Sequence, residues 1–287
     1  MMIAILLSAY NGAKYVSEQI DSLMIQTCQN FKLYIRVDGS ADGTSEIVDD
    51  YARRFPNKIF RVDRDGNNLG CGQSFMWLLE HTEADYYMYC DQDDIWLPTK
   101  IEETLHKMQE LDTTGHEKTA SVVFTDAIIT DENMNVTADS LWKSNHRNPE
   151  DARDVYRYAV YRQAALGCTM MFNNEARRLA LSGKAYPAER GLHDRLVVFV
   201  CAKYGKVGYV SKPLIKYRQH SKNVTSFQKI TNEGQGTVAR KVLKNPLRVF
   251  NVFEIKFGCM NNLPFHISKS RLFFMLCWKW IMPNRWN

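Results

Sequence analysis

Over the first 111 residues, short apolar runs alternate with segments whose apolar residues recur at helical spacing. Ile3–Leu7 is a continuous apolar run, followed by the turn pair Asn11-Gly12 and then by Val16, Ile20, Leu23 and Thr27. The run at 32–37 precedes Ile47, Val48, Tyr51 and Phe55, and the run at 58–62 precedes Phe75, Leu78 and Leu79. The run at 86–90 precedes Ile101, Leu105, Met108 and Leu111, with Pro98 near the start of that helix. Brief apolar runs bounded by turn residues read as strands buried on both faces, and the 3.6-residue spacing reads as helix. Strands alternating with helices predict an α/β fold with a mixed, mostly parallel sheet and helices on both faces. Ligands of such sheets bind beyond the carboxyl ends of the strands. Three polar clusters fall there: SAYNG after the first strand, DGSADGT after the second and DQDD after the fourth. They are expected to converge on one crevice.

The DQDD cluster crowds Asp91, Asp93 and Asp94 into four residues. Two readings compensate the repulsion. One is an acidic cap on the helix that follows, since carboxylates are favourable near a helix N-terminus. The other is a hard divalent cation, Mg²⁺ or Mn²⁺, which takes one or two carboxylates and completes its sphere with water and phosphate oxygens. DGSADGT reads either as a turn into a helix capped by Asp42 or Thr44, or as a nucleotide contact through Asp38. Asp194 in GLHDRLVV is a helix cap or a catalytic carboxylate, and His220 in YRQHSKNVT is a surface residue or a ligand. No G-x-G-x-x-G or Walker A pattern is present, which argues against a dinucleotide dehydrogenase and a P-loop enzyme.

Beyond residue 112 the pattern loosens. ASVVFTDAIIT and CTMMF read as strands, HDRLVVFVCAKYG as a helix ending at Gly205, and VGYVS and LIKYRQH as two further strands. From Phe227 to Asn287 there are ten Lys or Arg against two Glu, a net of +8 that leaves −3 for residues 1–226. The same tail holds ten Phe or Trp residues, with KSRLFFMLCWKWIMPNRW the densest stretch. A basic, aromatic appendage on a mildly acidic body suits either an anionic membrane surface or packing against protein. Nucleic-acid binding is disfavoured, because the basic excess is confined to the tail. Seven cysteines with no C-x-x-C pair point to free thiols in a reducing compartment. The N-terminal stretch lacks a basic n-region and no run of 18 apolar residues occurs, which points to a cytoplasmic chain, peripheral at most on the inner face of the cytoplasmic membrane.

Taken in order, LLSAYNGAKYVSEQIDSLMIQT, VDGSADGT, NNLGCGQSF, DQDDIWLPTKI, LGCTMMFN, HDRLV and YRQHSKNVT resemble the family 2 glycosyltransferases of GT-A fold, and within them the bacterial rhamnosyltransferase-like branch. The resemblance covers about residues 2–226, which makes 1–226 the expected catalytic domain and 227–287 a helical appendage. It implies a nucleotide-diphospho-sugar donor, with Ser8, Asp38, Asn68, Gly70 and Gln92 on the donor. It implies Asp91 and Asp93 as metal ligands with His220 approaching from the C-terminal side, Mg²⁺ or Mn²⁺ as cofactor, and Asp194 as general base. It also implies inversion at the sugar carbon, an L-rhamnose donor carried on dTDP, and a cell-envelope polysaccharide or lipid-linked glycan as acceptor. Three departures from the family pattern stand out: Val37 replaces a first Asp, Gln73 and Ser74 replace an Ala-Arg-Asn type sequence, and His193 replaces a frequent Glu. A nucleotidyltransferase that makes nucleotide sugars is the second reading. It would need a Gly-rich basic phosphate loop where SAYNGAKY has one Gly and one Lys. A non-catalytic sugar-nucleotide-binding protein is the third.

Overall fold

The computed structural model describes residues 1–62, 66–113, 119–161, 163–182, 193–221, 223 and 267–281. One sheet organises them. β1 (Ile3–Ala9) lies between β2 (Phe31–Val37) and β4 (Tyr86–Cys90), parallel to both, and β3 (Ile59–Arg61) adds in parallel to β2. All of β1 except Ser8 is buried, so both faces of this half are covered, as its unbroken apolar run requires. The other half is built on β6 (Ser121–Thr130), which pairs in parallel with β9 (Lys206–Arg218) and antiparallel with β7 (Val136–Ala138). β8 (Met170–Asn173) joins the halves and runs antiparallel to both β4 and β6, while β5 (Ile95–Trp96) pairs antiparallel with β9. The order is β3-β2-β1-β4-β8-β6-β9-β5, with β7 beside β6.

These directions decide where a site can form. β1, β2, β4, β6 and β9 all present their C-terminal ends at one edge. β8 runs the other way, so its entry at Leu166–Thr169 reaches that same edge.

The helices follow the sequence periodicity. α1 (Val16–Met24) buries Val16, Ile20 and Leu23, one face at four- and three-residue spacing, and α2 (Thr44–Arg54) buries Thr44, Val48 and Tyr51. Gly43 occupies the cap position of α2 with φ of 87°, and Asp42 accepts the Thr44 N–H at 3.2 Å. The turn is therefore closed by a left-handed glycine together with an aspartate. α3 (Cys71–Glu80) and α4 (Lys100–Thr113) complete the first half, with Pro98 two residues ahead of α4. α5 (Leu141–Ser144), α6 (Val155–Val160), α7 (Asn174–Leu181) and α8 (His193–Tyr204) belong to the second half.

One expectation changes. VGYVS and LIKYRQH are not separate strands but the ends of one strand, β9. Pro213 pairs with Asp126 where the β6–β9 register shifts, so its missing N–H falls at an irregularity and breaks no ladder bond. The two-residue β5 had no periodicity to reveal it.

α9 (Lys269–Ile281) is the described part of the tail. It docks on α6: Leu272 and Leu276 are buried, Ser268 N–H donates to Tyr156 Oη at 3.1 Å, and the Arg271 guanidinium lies 4.3 Å from the Tyr156 ring. Phe274 is 72% exposed on the outer side. Residues 227–266 and 282–287 lie outside the described residues. Among the described residues no helix is long and apolar enough to cross a membrane.

The turn from α8 into β9 leaves no room for a side chain. A Cβ on Gly205 would stand 1.8 Å from the Ala120 carbonyl oxygen, a backbone atom held by the Lys206 N–H at 2.8 Å. Gly205→Ala is expected to lower stability by about 3 kcal/mol through forced backbone displacement, read from the urea midpoint. A change below about 0.5 kcal/mol, the range of an ordinary surface substitution, would contradict the packing described.

Candidate active site

At the C-terminal edge of the sheet the chain encloses a cleft of about 820 Å³. Ser8, Asp38, Asn68, Gly70, Asp91, Gln92, Asp93, Asp194 and His220 all line it. Nine positions spread over 213 residues thus meet at the strand ends where the alternation pattern located a crevice.

The β1 and β4 loops are locked together by Gln92. Its Oε1 accepts the Tyr10 N–H at 2.8 Å, and its Nε2 donates to the Tyr10 carbonyl at 3.0 Å. A Cβ at Gly12 would come to 2.1 Å from Gln92 Oε1, so a side chain there would displace the amide that locks the loops. Gln92 lines the cleft, but its amide is already engaged in holding the two loops. Ser8 is similarly committed: its Oγ donates to Ser74 Oγ at 2.7 Å, so Ser74, one of the departures from the family pattern, has a defined task.

Asp38 is almost fully buried. Its Oδ1 accepts the Leu69 N–H at 2.8 Å and lies 3.3 Å from the buried Arg36 guanidinium, and its Oδ2 accepts the Gly70 N–H at 2.8 Å. Arg36 in turn donates to the Asn67 carbonyl at 3.0 Å. This pair pins the 67–70 loop, and Asn68 Oδ1 is a second acceptor for Gly70 N–H at 3.0 Å. The residue expected on the nucleotide first shapes the loop beside it.

The three crowded carboxylates separate. Asp91 and Asp93 face the cleft, whereas Asp94 is fully buried behind it. Burial raises the Asp91 carboxyl above the ordinary carboxylate range, and the neighbouring Asp93 adds to the rise. Asp93 Oδ2 meets His220 Nε2 at 2.7 Å, and the His220 ring stacks on Tyr15 at 4.9 Å. Asp94 Oδ1 accepts the Arg218 N–H at 3.0 Å, while its Oδ2 has no hydrogen-bond partner. Ligand atoms of Asp91, Asp94 and Cys168 lie within 4.8 Å of one another.

Arg218 is the residue that sequence reasoning missed. Its Nε donates to the Asp93 carbonyl at 2.7 Å, one terminal nitrogen donates to the Glu132 carbonyl at 2.9 Å, and the other pairs with Glu18 of α1. The guanidinium also lies 4.7 Å from the Tyr15 ring. Glu132, on the turn between β6 and β7, accepts the Tyr15 hydroxyl at 2.9 Å and pairs with Lys14. A cation at a strand end inside YRQHSKNVT was the available signal; its partners, at residues 18, 93 and 132, were not.

On the far side, Asp194 stands in the first turn of α8, where its Oδ1 accepts the Arg195 N–H at 2.7 Å. His193 stacks on Phe75 at 4.4 Å and meets the Tyr89 ring edge-on at 4.8 Å. Burial lowers the proton affinity of its imidazole, so a neutral ring stands immediately before Asp194. Gly167 lies against it, since a Cβ there would be 3.1 Å from His193 Nε2. Cys71 lines the cleft, but burial and then the surrounding carboxylates push its thiol up to about 12, which removes it as a nucleophile.

Comparison with known proteins identifies the fold and the family. Staphylococcal TarS, residues 1–349, solved in complex with UDP (S. aureus), superposes with a TM-score of 0.61 at 15% identity, covering 100% of this chain and 74% of that one. The likeness is of fold, a GT-A fold. An uncharacterized glycosyltransferase of Rickettsia typhi, RT0329, is 25% identical over 228 residues, 78% of this chain and 66% of that protein, so the match spans just under two thirds of the relative's length. The dTDP-rhamnosyl transferase RfbG of Shigella flexneri is 24% identical over 227 residues, 76% of this chain and 72% of that protein. The profile of glycosyl transferase family 2 matches residues 4–160, more than half of the 287. The chain belongs to glycosyl transferase family 2.

Proposed function

We propose that the chain is an inverting glycosyltransferase that moves a sugar from a nucleotide-diphospho-sugar to a hydroxyl of a cell-envelope polysaccharide or lipid-linked glycan, with L-rhamnose carried on dTDP as the donor. The observation that carries this reading is the meeting of Asp91 and Asp93, beyond β4, with Asp194, at the start of α8, in one cleft. The likeness to RfbG supports the choice of donor.

Asp91 and Asp93 are the proposed cation ligands, with His220 as a third group. The two carboxylates fit as hard oxygen donors for Mg²⁺ or Mn²⁺, and burial together with Asp93 already disfavours a bare charge on Asp91. Among the described residues the three ligand atoms within 4.8 Å of one another are those of Asp91, Asp94 and Cys168, while His220 Nε2 is engaged with Asp93. When bound, the ion acts as a Lewis acid for the diphosphate oxygens as negative charge develops there. The protein's own residues do the rest. Asp38, the 67–70 loop and the Gln92–Tyr10 lock shape the nucleotide end. The acceptor oxygen attacks the anomeric carbon from the face opposite the diphosphate. A C–O bond forms, the C–O bond to the diphosphate breaks, and its electron pair leaves on the β-phosphate oxygen. Asp194 takes the hydroxyl proton as the new bond forms. It stands at a helix N-terminus, where a carboxylate complements the dipole. Residues 1–226 constitute the catalytic unit in this reading. The appendage from 227 onward carries it to an anionic membrane surface through basic residues and the outward Phe274 of α9.

Purified protein with Mn²⁺ and a panel of nucleotide sugars is expected to release nucleoside diphosphate from dTDP-rhamnose in preference to the others. Release should stop in EDTA and in Asp93→Ala. Release that persists in EDTA would defeat the cation assignment, and turnover of a different sugar would defeat the donor assignment. Asp194→Asn should keep donor affinity within about threefold while transfer falls roughly 10²–10⁴-fold; near-normal transfer would remove Asp194 from the mechanism. Phe274→Asp should reduce co-sedimentation of the full chain with phosphatidylglycerol vesicles and spare transfer to a soluble acceptor. Undiminished sedimentation would defeat the membrane reading.

A further inference from the structure

His193 is only 6% exposed, yet it lines the cleft, and among the described residues neither of its ring nitrogens has a hydrogen-bond partner. The ring is held by packing instead. It stacks on Phe75 of α3 at 4.4 Å and meets Tyr89 of β4 edge-on at 4.8 Å. Tyr89 supplies no polar partner, since its own hydroxyl is buried and unpartnered too. Buried polar atoms are normally paired, because an unmet one is costly. The two nitrogens differ in what they face. Nδ1 is enclosed. Nε2 lies against Gly167, where a Cβ would come to 3.1 Å from it, and Gly167 and Asp194 also line the cleft. Orphaned N–H groups are rarer in folded proteins than orphaned acceptors. The proton of the neutral ring therefore belongs on Nε2, with the bare lone pair on the enclosed Nδ1.

We propose that His193 Nε2–H donates to a hydroxyl of the donor's sugar ring, an assignment that rests on the cleft being a nucleotide-diphospho-sugar site. An anion is a poor partner for this N–H, because the Asp194 carboxylate adjoins it in the chain. An uncharged oxygen is a good one. The ring lies between α3 and β4 on the floor of the cleft, and the sugar that reaches the floor is the one tethered through its diphosphate to the Asp91–Asp93 turn. The acceptor approaches from the mouth, after the donor is seated. Gly167 belongs to the same arrangement, since a side chain there would crowd Nε2. His193 is thus a binding residue for the sugar, and its stacking on Phe75 fixes the direction of the N–H.

The test uses the full chain as wild type, His193→Phe, His193→Gln and Gly167→Ala. Dissociation constants for dTDP-rhamnose and for dTDP are measured by calorimetry with Mg²⁺, and their ratio isolates the sugar. Should the donor panel select another nucleotide sugar, that sugar and its nucleoside diphosphate take their place. His193→Phe keeps a stacked ring and removes the N–H. It is expected to bind the nucleotide sugar about three- to tenfold more weakly, the weight of one neutral hydrogen bond, with dTDP affinity within about twofold of wild type. His193→Gln, whose amide still donates, should hold the ratio within about twofold of wild type. Gly167→Ala crowds Nε2 while leaving the imidazole in place, and should lose the ratio as His193→Phe does. A ring that only packs would change stability at position 193 and leave the ratio at its wild-type value, which overturns the sugar contact. The second measurement needs no variant. In wild type labelled with ¹⁵N-histidine, the His193 signals are identified by their contacts with the Phe75 and Tyr89 rings. Nε2 should be the protonated nitrogen, and its resonance should move with dTDP-rhamnose and not with dTDP. A proton on Nδ1, or no movement with the nucleotide sugar, overturns the contact even where the variants do not fold. Wild type that binds the nucleotide sugar while His193→Phe keeps its ratio overturns the contact alone. Wild type that binds no nucleotide sugar of the panel overturns the donor reading and the contact with it.

Discussion

A single buried guanidinium, that of Arg218, joins four pieces of chain that share no local sequence. It reaches the backbone of Asp93, the backbone of Glu132 and the carboxylate of Glu18, and it covers the ring of Tyr15. Its own N–H holds Asp94. The acidic turn after β4, the first turn of α1, the turn between β6 and β7 and the end of β9 are therefore fixed relative to one another by one side chain. A buried charge is tolerated when each of its donors is satisfied, and removing one partner then leaves the others exposed to a large penalty. His220, two residues further on, inherits its place against Asp93 from this anchor.

The two halves of the cleft were legible to different degrees. The alternation of apolar runs with helical segments located β1, β2, β3 and β4, and hence the SAYNG, DGSADGT and DQDD loops, because each strand is followed within a few residues by the loop it positions. The second half resisted. β8 has four residues and sits between strands 86–90 and 121–130 that it pairs with across more than 40 residues. Nothing in CTMMF announces that direction. β9 looked like two strands because Pro213 interrupts its pattern, and only the register shift opposite Asp126 reveals why it continues.

The site residues divide in the same way. Their convergence could be anticipated from strand ends, but their hydrogen-bond partners could not. Asp91, Asp93 and Asp94 have one chemistry in the sequence and three environments in the fold, since β5 begins immediately after them and draws Asp94 under the sheet edge. Asp38 and Gln92, expected on the donor, are engaged by Arg36, by the 69–70 backbone and by Tyr10. Such engagement keeps loops in shape before any ligand arrives, which is how rigid elements position binding groups at modest entropic cost.

The reversed course of β8 makes the two walls of the cleft separable in the chain. Its neighbours deliver their exits to the working edge of the sheet, whereas β8 delivers its entrance, so Leu166 and Gly167 arrive on a connection that is independent of the β1–β4 crossovers. Changes of length or composition in that connection, or in the hairpin carrying Glu132, would reshape one wall of the cleft and leave the loops after β1, β2 and β4 untouched.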